Sequence, residues 1–178
     1  MSAEKAIDVF TNVLGNWYMS AVNASGLSGG LLSAWNPHKA LFDVFRSGAG
    51  ILLKGRCING VQEINILNCY GPYQYRIPFW SHIRAGGLLK TSGLIIGGDL
   101  NFTISAREVW GSTRLDPDAD FFHDLIRDEG LFDVEPAILR PTWQNGRGGQ
   151  AGIGKRLDRF MVDAALLEQA HFYHSWLV

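Results

Sequence analysis

Leu94-Ile95-Ile96-Gly97-Gly98-Asp99-Leu100-Asn101 is the stretch on which the fold turns. Its short, wholly apolar start reads as a buried central strand. The Gly-Gly pair lets another backbone or a ligand come close. The strand then delivers a carboxylate, Asp99, and a carboxamide, Asn101, two residues apart at its C-terminal end. An aspartate there can orient and deprotonate water, and an asparagine can hydrogen-bond a phosphate oxygen without adding repulsive charge. The same residues also suit a Gly-Gly turn with an Asx cap, and the stretch alone does not separate the two readings.

Working outward, the first half reads as hairpins and the second as strand–helix alternation. Ile7, Phe10, Val13 and Leu14 give residues 3–14 a helical face that stops at Gly15. Strands are expected at 17–23, 30–35, 40–46, 50–57 and 61–70. Asn59-Gly60 suits a two-residue hairpin turn between the last two, with positive φ at both positions. Pro78 opens a helix with Phe79, Ile83 and Leu88 on its apolar side, weakened by Gly86-Gly87. Asp118 caps a helix through Glu129 that Gly130 stops. Strands at 131–135, 139–144 and 156–162, a short helix at 163–170 and an apolar segment at 172–178 complete the chain. This order predicts an α/β layered architecture in one domain, residues 1–178.

Composition narrows the function. The 178 residues are 47% hydrophobic and 19% charged, the opposite of the balance that disorder needs. No apolar run reaches the roughly 18 residues of a membrane helix. The N-terminus, with Glu4, Lys5 and Asp8, lacks a secretory pattern, so an intracellular protein, nuclear or cytoplasmic, is expected. Two cysteines, Cys57 and Cys69, make neither a disulfide framework nor a zinc site alone. Net charge is −1, so a nucleic-acid role must come from local groups in a cleft rather than a basic surface.

Other motifs carry less alone. Asn68-Cys69-Tyr70-Gly71-Pro72-Tyr73 ends another apolar strand, and Tyr70 can donate to a phosphoryl oxygen or simply pack under a turn. Arg156-Leu157-Asp158-Arg159-Phe160 reads as an exposed strand face with a local ion pair. Gly149 to Lys155 has the spacing of a phosphate-binding loop. However, Arg156 stands where Ser or Thr would ligand Mg²⁺, and a strand follows instead of a helix, so 145–154 reads as a mobile glycine-rich loop. The five histidines show no metal spacing, and the six tryptophans read as core and cleft-rim residues.

Taken in order, the segments resemble the endonuclease/exonuclease/phosphatase family, and within it the apurinic-endonuclease-like domain of plant LINE-type (non-LTR) retrotransposons. The matching pieces are Ser28 to Leu32 with Trp35, Asn68 to Pro72, Gly97 to Asn101, Pro141-Thr142-Trp143 and Arg156 to Phe160. The resemblance implies a layered α/β/β/α sandwich and Mg²⁺-dependent hydrolysis of phosphodiesters. By it, Tyr70 contacts phosphate, Asp99 activates water with Asn101 as companion, and Asp158 orients a histidine. Asn68 and Trp143 are candidate substrate contacts.

The same resemblance implies that the sandwich lacks its first and last strands. The family's metal-binding Glu precedes Met1, and its terminal Ser-Asp-His would begin near Val178; His174 lies a few residues early. A weak Mg²⁺ site on Asp99 is expected, with Glu4 or Asp43 as substitute ligands should binding prove tight. Weak or lost catalysis and a preference for DNA follow, with a homo-oligomer through exposed strand edges. The competing expectations are a non-catalytic nucleic-acid- or protein-binding module recruited from a retrotransposon fragment, and a piece of a longer enzyme.

Overall fold

The computed structural model describes residues 2–24 and 30–169. The segments 25–29 and 170–178, with Ser28, Gly29, His171 and His174, lie outside the described residues. The strands are β1 Tyr18–Val22, β2 Leu31–Trp35, β3 Ala40–Ser47, β4 Gly50–Cys57, β5 Glu63–Cys69, β6 Leu94–Asp99, β7 Val109–Trp110, β8 Leu131–Asp133, β9 Trp143–Gln144, β10 Gly154–Lys155 and β11 Asp158–Asp163. The helices are α1 Ala3–Leu14, α2 Arg76–Ala85, α3 Ala119–Asp128 and α4 Ala164–Gln169.

Six strands make the central sheet in the order β3-β4-β5-β6-β11-β8. Among the described residues only the β5–β6 pair is parallel, and α2 makes its crossover. Leu94 and Ile96 on β6, Leu67 and Cys69 on β5 and Met161 on β11 point to one face. There they meet Trp80 and Ile83 of α2 and Phe122 and Leu125 of α3 in the main core. Ile51 and Leu53 of β4 point the other way, into a second core with Trp35, Val22 and Leu31 of the β1–β2 hairpin. Helix α1 packs on the outside of that hairpin. The layering is therefore α/β/β/α, with β1–β2 covering only the β4–β5 side. A small sheet, β7-β10-β9, lies apart.

Four local expectations change. The β4–β5 connection is wider than a two-residue turn: pairing resumes only at Arg56 with Glu63. Neither Asn59 nor Gly60 has positive φ. The end of β4 stays bonded to β3, where Ile58 N–H donates to the Lys39 carbonyl, and Gly60 N–H donates to the Cys57 carbonyl. Helix α2 starts at Arg76, two residues before Pro78, and ends before Gly86-Gly87. Asp118 sits at the N-cap of α3 but caps nothing with its side chain, because Arg76 takes its carboxylate. The 145–154 loop is pinned: the Asn145 amide donates to the Ala151 carbonyl and accepts from Arg147 and Ile153 N–H.

The largest departure is in β11. Arg156, just before the strand, and Arg159 within it are 2% exposed, while Asp158 between them and Phe160 beyond face outward. The arginines reach Glu108, which is 0% exposed, and Asp133, at 2.6 to 3.1 Å. Those partners come from distant segments, so no local pattern announces them. Arg159 also lies 4.7 Å over the Phe102 ring, and Arg76 lies 5.5 Å over Phe122. Phe102 and Phe122 stack at 4.0 Å between them. Removing one partner from such a network leaves an uncompensated charge inside. We expect Glu108→Ala to cost about 3–5 kcal/mol in urea unfolding; a loss under about 1 kcal/mol would show that the two guanidiniums are not held as described.

Candidate functional site

The site lies where β6 and β11 end side by side. Asp99 and Asp158 are direct cross-strand partners, so their Cα atoms stand about 4.5–5.5 Å apart. Two aspartates opposite each other oppose strand pairing. Their side chains rise from the face that α2 and α3 leave open, the face that also carries Phe160. Asp99 is half-buried and Asp158 exposed. Burial pushes the Asp99 carboxyl above the usual carboxylate range; the Asn101 N–H pulls it back, and the like charge of Asp158 adds to the rise.

Backbone geometry gathers the remaining residues. Asn101 adopts φ +56°, a left-handed turn that asparagine tolerates. Its N–H donates to Asp99 Oδ1 at 3.0 Å, and its Nδ2 donates to the Gly71 carbonyl at 2.6 Å. Gly71 N–H in turn donates to the Asp99 carbonyl at 2.7 Å. The Tyr70-Gly71 peptide is thereby held against the Asp99–Asn101 turn. Only glycine permits this approach: a Cβ at Gly71 would stand 2.2 Å from the Leu100 carbonyl oxygen. The same holds at Gly98, where φ is +133° and a Cβ would meet the Cys69 carbonyl oxygen at 2.1 Å. Beneath, burial and the neighbouring Asp99 charge push the Cys69 thiol up to about 12.

Thr142 joins from the other side. Its Oγ1 accepts from Leu157 and Asp158 N–H, which brings Pro141-Thr142-Trp143 to Asp158. Trp143 is 43% exposed on β9. Asn68 is differently used: its amide donates to the Leu32 carbonyl and to Ser33 Oγ, tying the β1–β2 hairpin to β5. The structure thus brings Tyr70, Asp99, Asn101 and Asp158 together with Trp143 near them, and spends the Asn68 donors between layers.

Sequence reasoning missed Arg76. Its guanidinium donates to the Asn101 carbonyl at 3.0 Å, to both oxygens of Asp116 at 2.6 Å, and to Asp118 at 2.5 Å. Only pairing across the fold reveals it, since Asp116 and Asp118 lie some forty residues downstream.

Other acidic groups among the described residues stand apart from the site. Asp43 is on β3, three strands from β6, or about 14 Å. Glu4 is exposed on α1, in the outer layer. Among the described residues Glu108, Asp133 and Glu135 bring carboxylate oxygens within 4.8 Å of one another. Arg156, Arg159 and Arg107 already neutralise them, so that cluster does not suit a cation. A groove of about 750 Å³ lined by Tyr18, Trp35, Phe42, Lys54 and Arg56 lies at the β3–β4 side, where Arg56 faces Glu63. Asp99, by contrast, is at the opposite end of β6.

No helix among the described residues is long and apolar enough to cross a membrane. We expect Asp99→Asn to raise Tm at pH 7 by about 1–3 °C. Its amide oxygen still accepts the Asn101 N–H while the like-charge opposition is gone. The wild-type carboxyl has a raised pKa, so the folded state binds the extra proton, and wild-type stability falls as pH rises through that pKa. The gain should therefore vanish below the ordinary carboxylate range; thermal melts from pH 3 to 8 check it, and an unchanged difference across that range contradicts it.

No family profile and no curated protein matches the sequence. Solved structures do. The endonuclease domain of TRAS1, a telomere-specific non-LTR retrotransposon, superposes with a TM-score of 0.63 at 20% identity, over 94% of this chain and 81% of that one. An endonuclease/exonuclease/phosphatase family protein from Bacteroides thetaiotaomicron gives 0.57 at 13% identity, over 90% and 65%. Danio rerio TDP2, solved with a single-stranded DNA product, gives 0.56 at 11% identity, over 93% and 68%. The chain has the α/β fold of endonuclease/exonuclease/phosphatase proteins.

Proposed function

We propose that this chain is a nuclease-type domain that binds nucleic acid, DNA by preference, and hydrolyses its phosphodiesters weakly. The observation that carries the reading is the Asp99–Asp158 pair. A half-buried carboxylate facing a like charge opposes folding, and such outliers cluster at functional sites. The similarity to the retrotransposon endonuclease domain and to DNA-product-bound TDP2 supports the same reading.

The residues fit a weakly held Mg²⁺. That ion takes one or two carboxylates and leaves the rest of its shell to water and phosphate. Asp99 keeps one oxygen beyond the Asn101 bond, and Asp158 has no hydrogen bond to its carboxylate among the described residues. When bound, Mg²⁺ would polarise a phosphoryl oxygen and screen the carboxylate pair. The protein's own groups do the rest. Asp99 orients a water and takes its proton. One Asn101 amide N–H is fixed on Gly71, leaving the other for a phosphate oxygen. The Tyr70 hydroxyl is a second donor, and Trp143 offers a partly exposed ring at the rim.

A nuclease assay on abasic, single-stranded and duplex DNA, with and without Mg²⁺, tests this. We expect Mg²⁺-dependent cleavage that Asp99→Ala lowers by about 10²-fold or more. Binding that persists in Asp99→Ala with no cleavage by either protein would instead establish the second reading, a non-catalytic binding module. The half-exposed Phe160 and Phe132 on the open face of the sheet favour that alternative. The outer edge of β3, with Leu41 and Phe45 exposed, supports a homo-oligomer by strand pairing; light scattering that finds a monomer throughout the micromolar range would exclude it.

A further inference from the structure

The segment 71–75, within the loop between β5 and α2, is fastened to the candidate site at both ends. At its start, Gly71 bonds to the Asp99 carbonyl and to the Asn101 amide. At its end, Arg76 bonds to the Asn101 carbonyl and to two aspartates. Between these anchors stand Tyr73, 83% exposed, and Tyr75, 81% exposed. Tyr75 also has φ +56°. A left-handed backbone at an aromatic residue is costly and persists only where its surroundings hold it. Here the Arg76 anchor, the next residue, holds it. Among the described residues neither ring stacks on another aromatic ring, and neither hydroxyl has a hydrogen-bond partner. Tyr18, also exposed, packs edge-on against Trp35. The fold thus fixes the backbone under two large rings that stay more than four-fifths exposed.

We propose that Tyr73 and Tyr75 form a stacking platform for an unpaired nucleobase beside the phosphate held at Asp99 and Asn101. The inference rests on the nuclease-type reading and adds to it a preference for substrate with unstacked bases. Aromatic rings stack on any base because every base has a π-face. A duplex keeps its bases stacked within the helix, so an unpaired strand offers the platform what a duplex withholds. The negative net charge makes base contacts matter more, because no basic surface supplies affinity through phosphates.

The test is binding in EDTA, so that metal-dependent cleavage is off. Fluorescein-labelled probes would be a single-stranded DNA 12-mer, the same sequence as RNA, the same DNA carrying abasic sites throughout its centre, and the duplex. Tyr73→Leu and Tyr75→Leu should each weaken binding of the single strand by about 5–100-fold, and Tyr→Phe at either position should restore it. Binding of the abasic strand and the duplex should change less than about 2-fold, since those probes present no free base to stack. Equal DNA and RNA losses assign the platform to the base alone; a loss for DNA only assigns it to a DNA-specific contact and overturns it as a base platform. Unchanged single-strand affinity in both variants, or equal loss on the abasic strand, overturns the platform and leaves the nuclease reading standing. Absence of binding to every probe by the wild-type protein, together with no Mg²⁺-dependent cleavage, overturns both. Both side chains are exposed, so unaltered melting temperatures show that the variants are folded.

Discussion

A column of four side chains carries the site. Arg159 lies over Phe102, Phe102 stacks on Phe122, and Phe122 lies under Arg76. At one end the Glu108–Asp133 carboxylates hold Arg159 and Arg156. At the other end Asp116 and Asp118 hold Arg76. Charge–π contact and charge pairing both strengthen where water is excluded. The column therefore joins β11, the turn after β6, α3 and the start of α2 into one unit. Asp158 and Asn101 are mounted on the first two of these, and Asp99 ends the strand that runs into that turn.

Its main effect is on register. Side chains alternate faces along β11, so a slip of one residue would send Asp158 inward and Arg159 into the open. Buried guanidiniums with fixed carboxylate partners make that slip prohibitive. Asp158 is held opposite Asp99 although the two repel. Arg76 acts on the other wall: its bond to the Asn101 carbonyl keeps a left-handed turn in place, and the turn sets both Asp99 and the Asn101 amide. Asp116 shows the same force in its titration. Burial would push its carboxyl up, but the Arg76 bonds hold it below the usual range.

The elements that were legible in the sequence are those whose cause is local. Helix α1 and strand β6 follow from short-range apolar patterns and a terminating glycine, and the α/β layering follows from their order. Asp99 and Asn101 were legible as a pair because a strand end and two glycines point to them together. The resemblance supplied Tyr70 and Asp158, which spacing alone did not single out. What could not be read rests on partners far away in the chain. Arg156 and Arg159 look like an exposed, charged strand face until Glu108 and Asp133 arrive from other segments. Asp118 looks like a cap until Arg76 claims it. Asn68 looks like a strand-end contact until the hairpin lies above it. The Asn59-Gly60 turn failed for a related reason: β4 keeps its pairing with β3 for longer than its own turn residues require.

The two cysteines divide along the same axis as the site. Cys69 is buried beside Asp99 with a thiol that stays protonated, whereas Cys57 is exposed at the far end of β4. Gly50 pairs with Cys69, so seven residues of strand, about 23 Å, separate the neighbourhood of Cys69 from Cys57. Thiol chemistry follows the thiolate. A maleimide dye will therefore attach at one position without any engineering. That position is remote from the carboxylate pair, yet within energy-transfer range of an acceptor on a bound strand. The wild-type chain comes with a built-in reporter of occupancy at its own cleft.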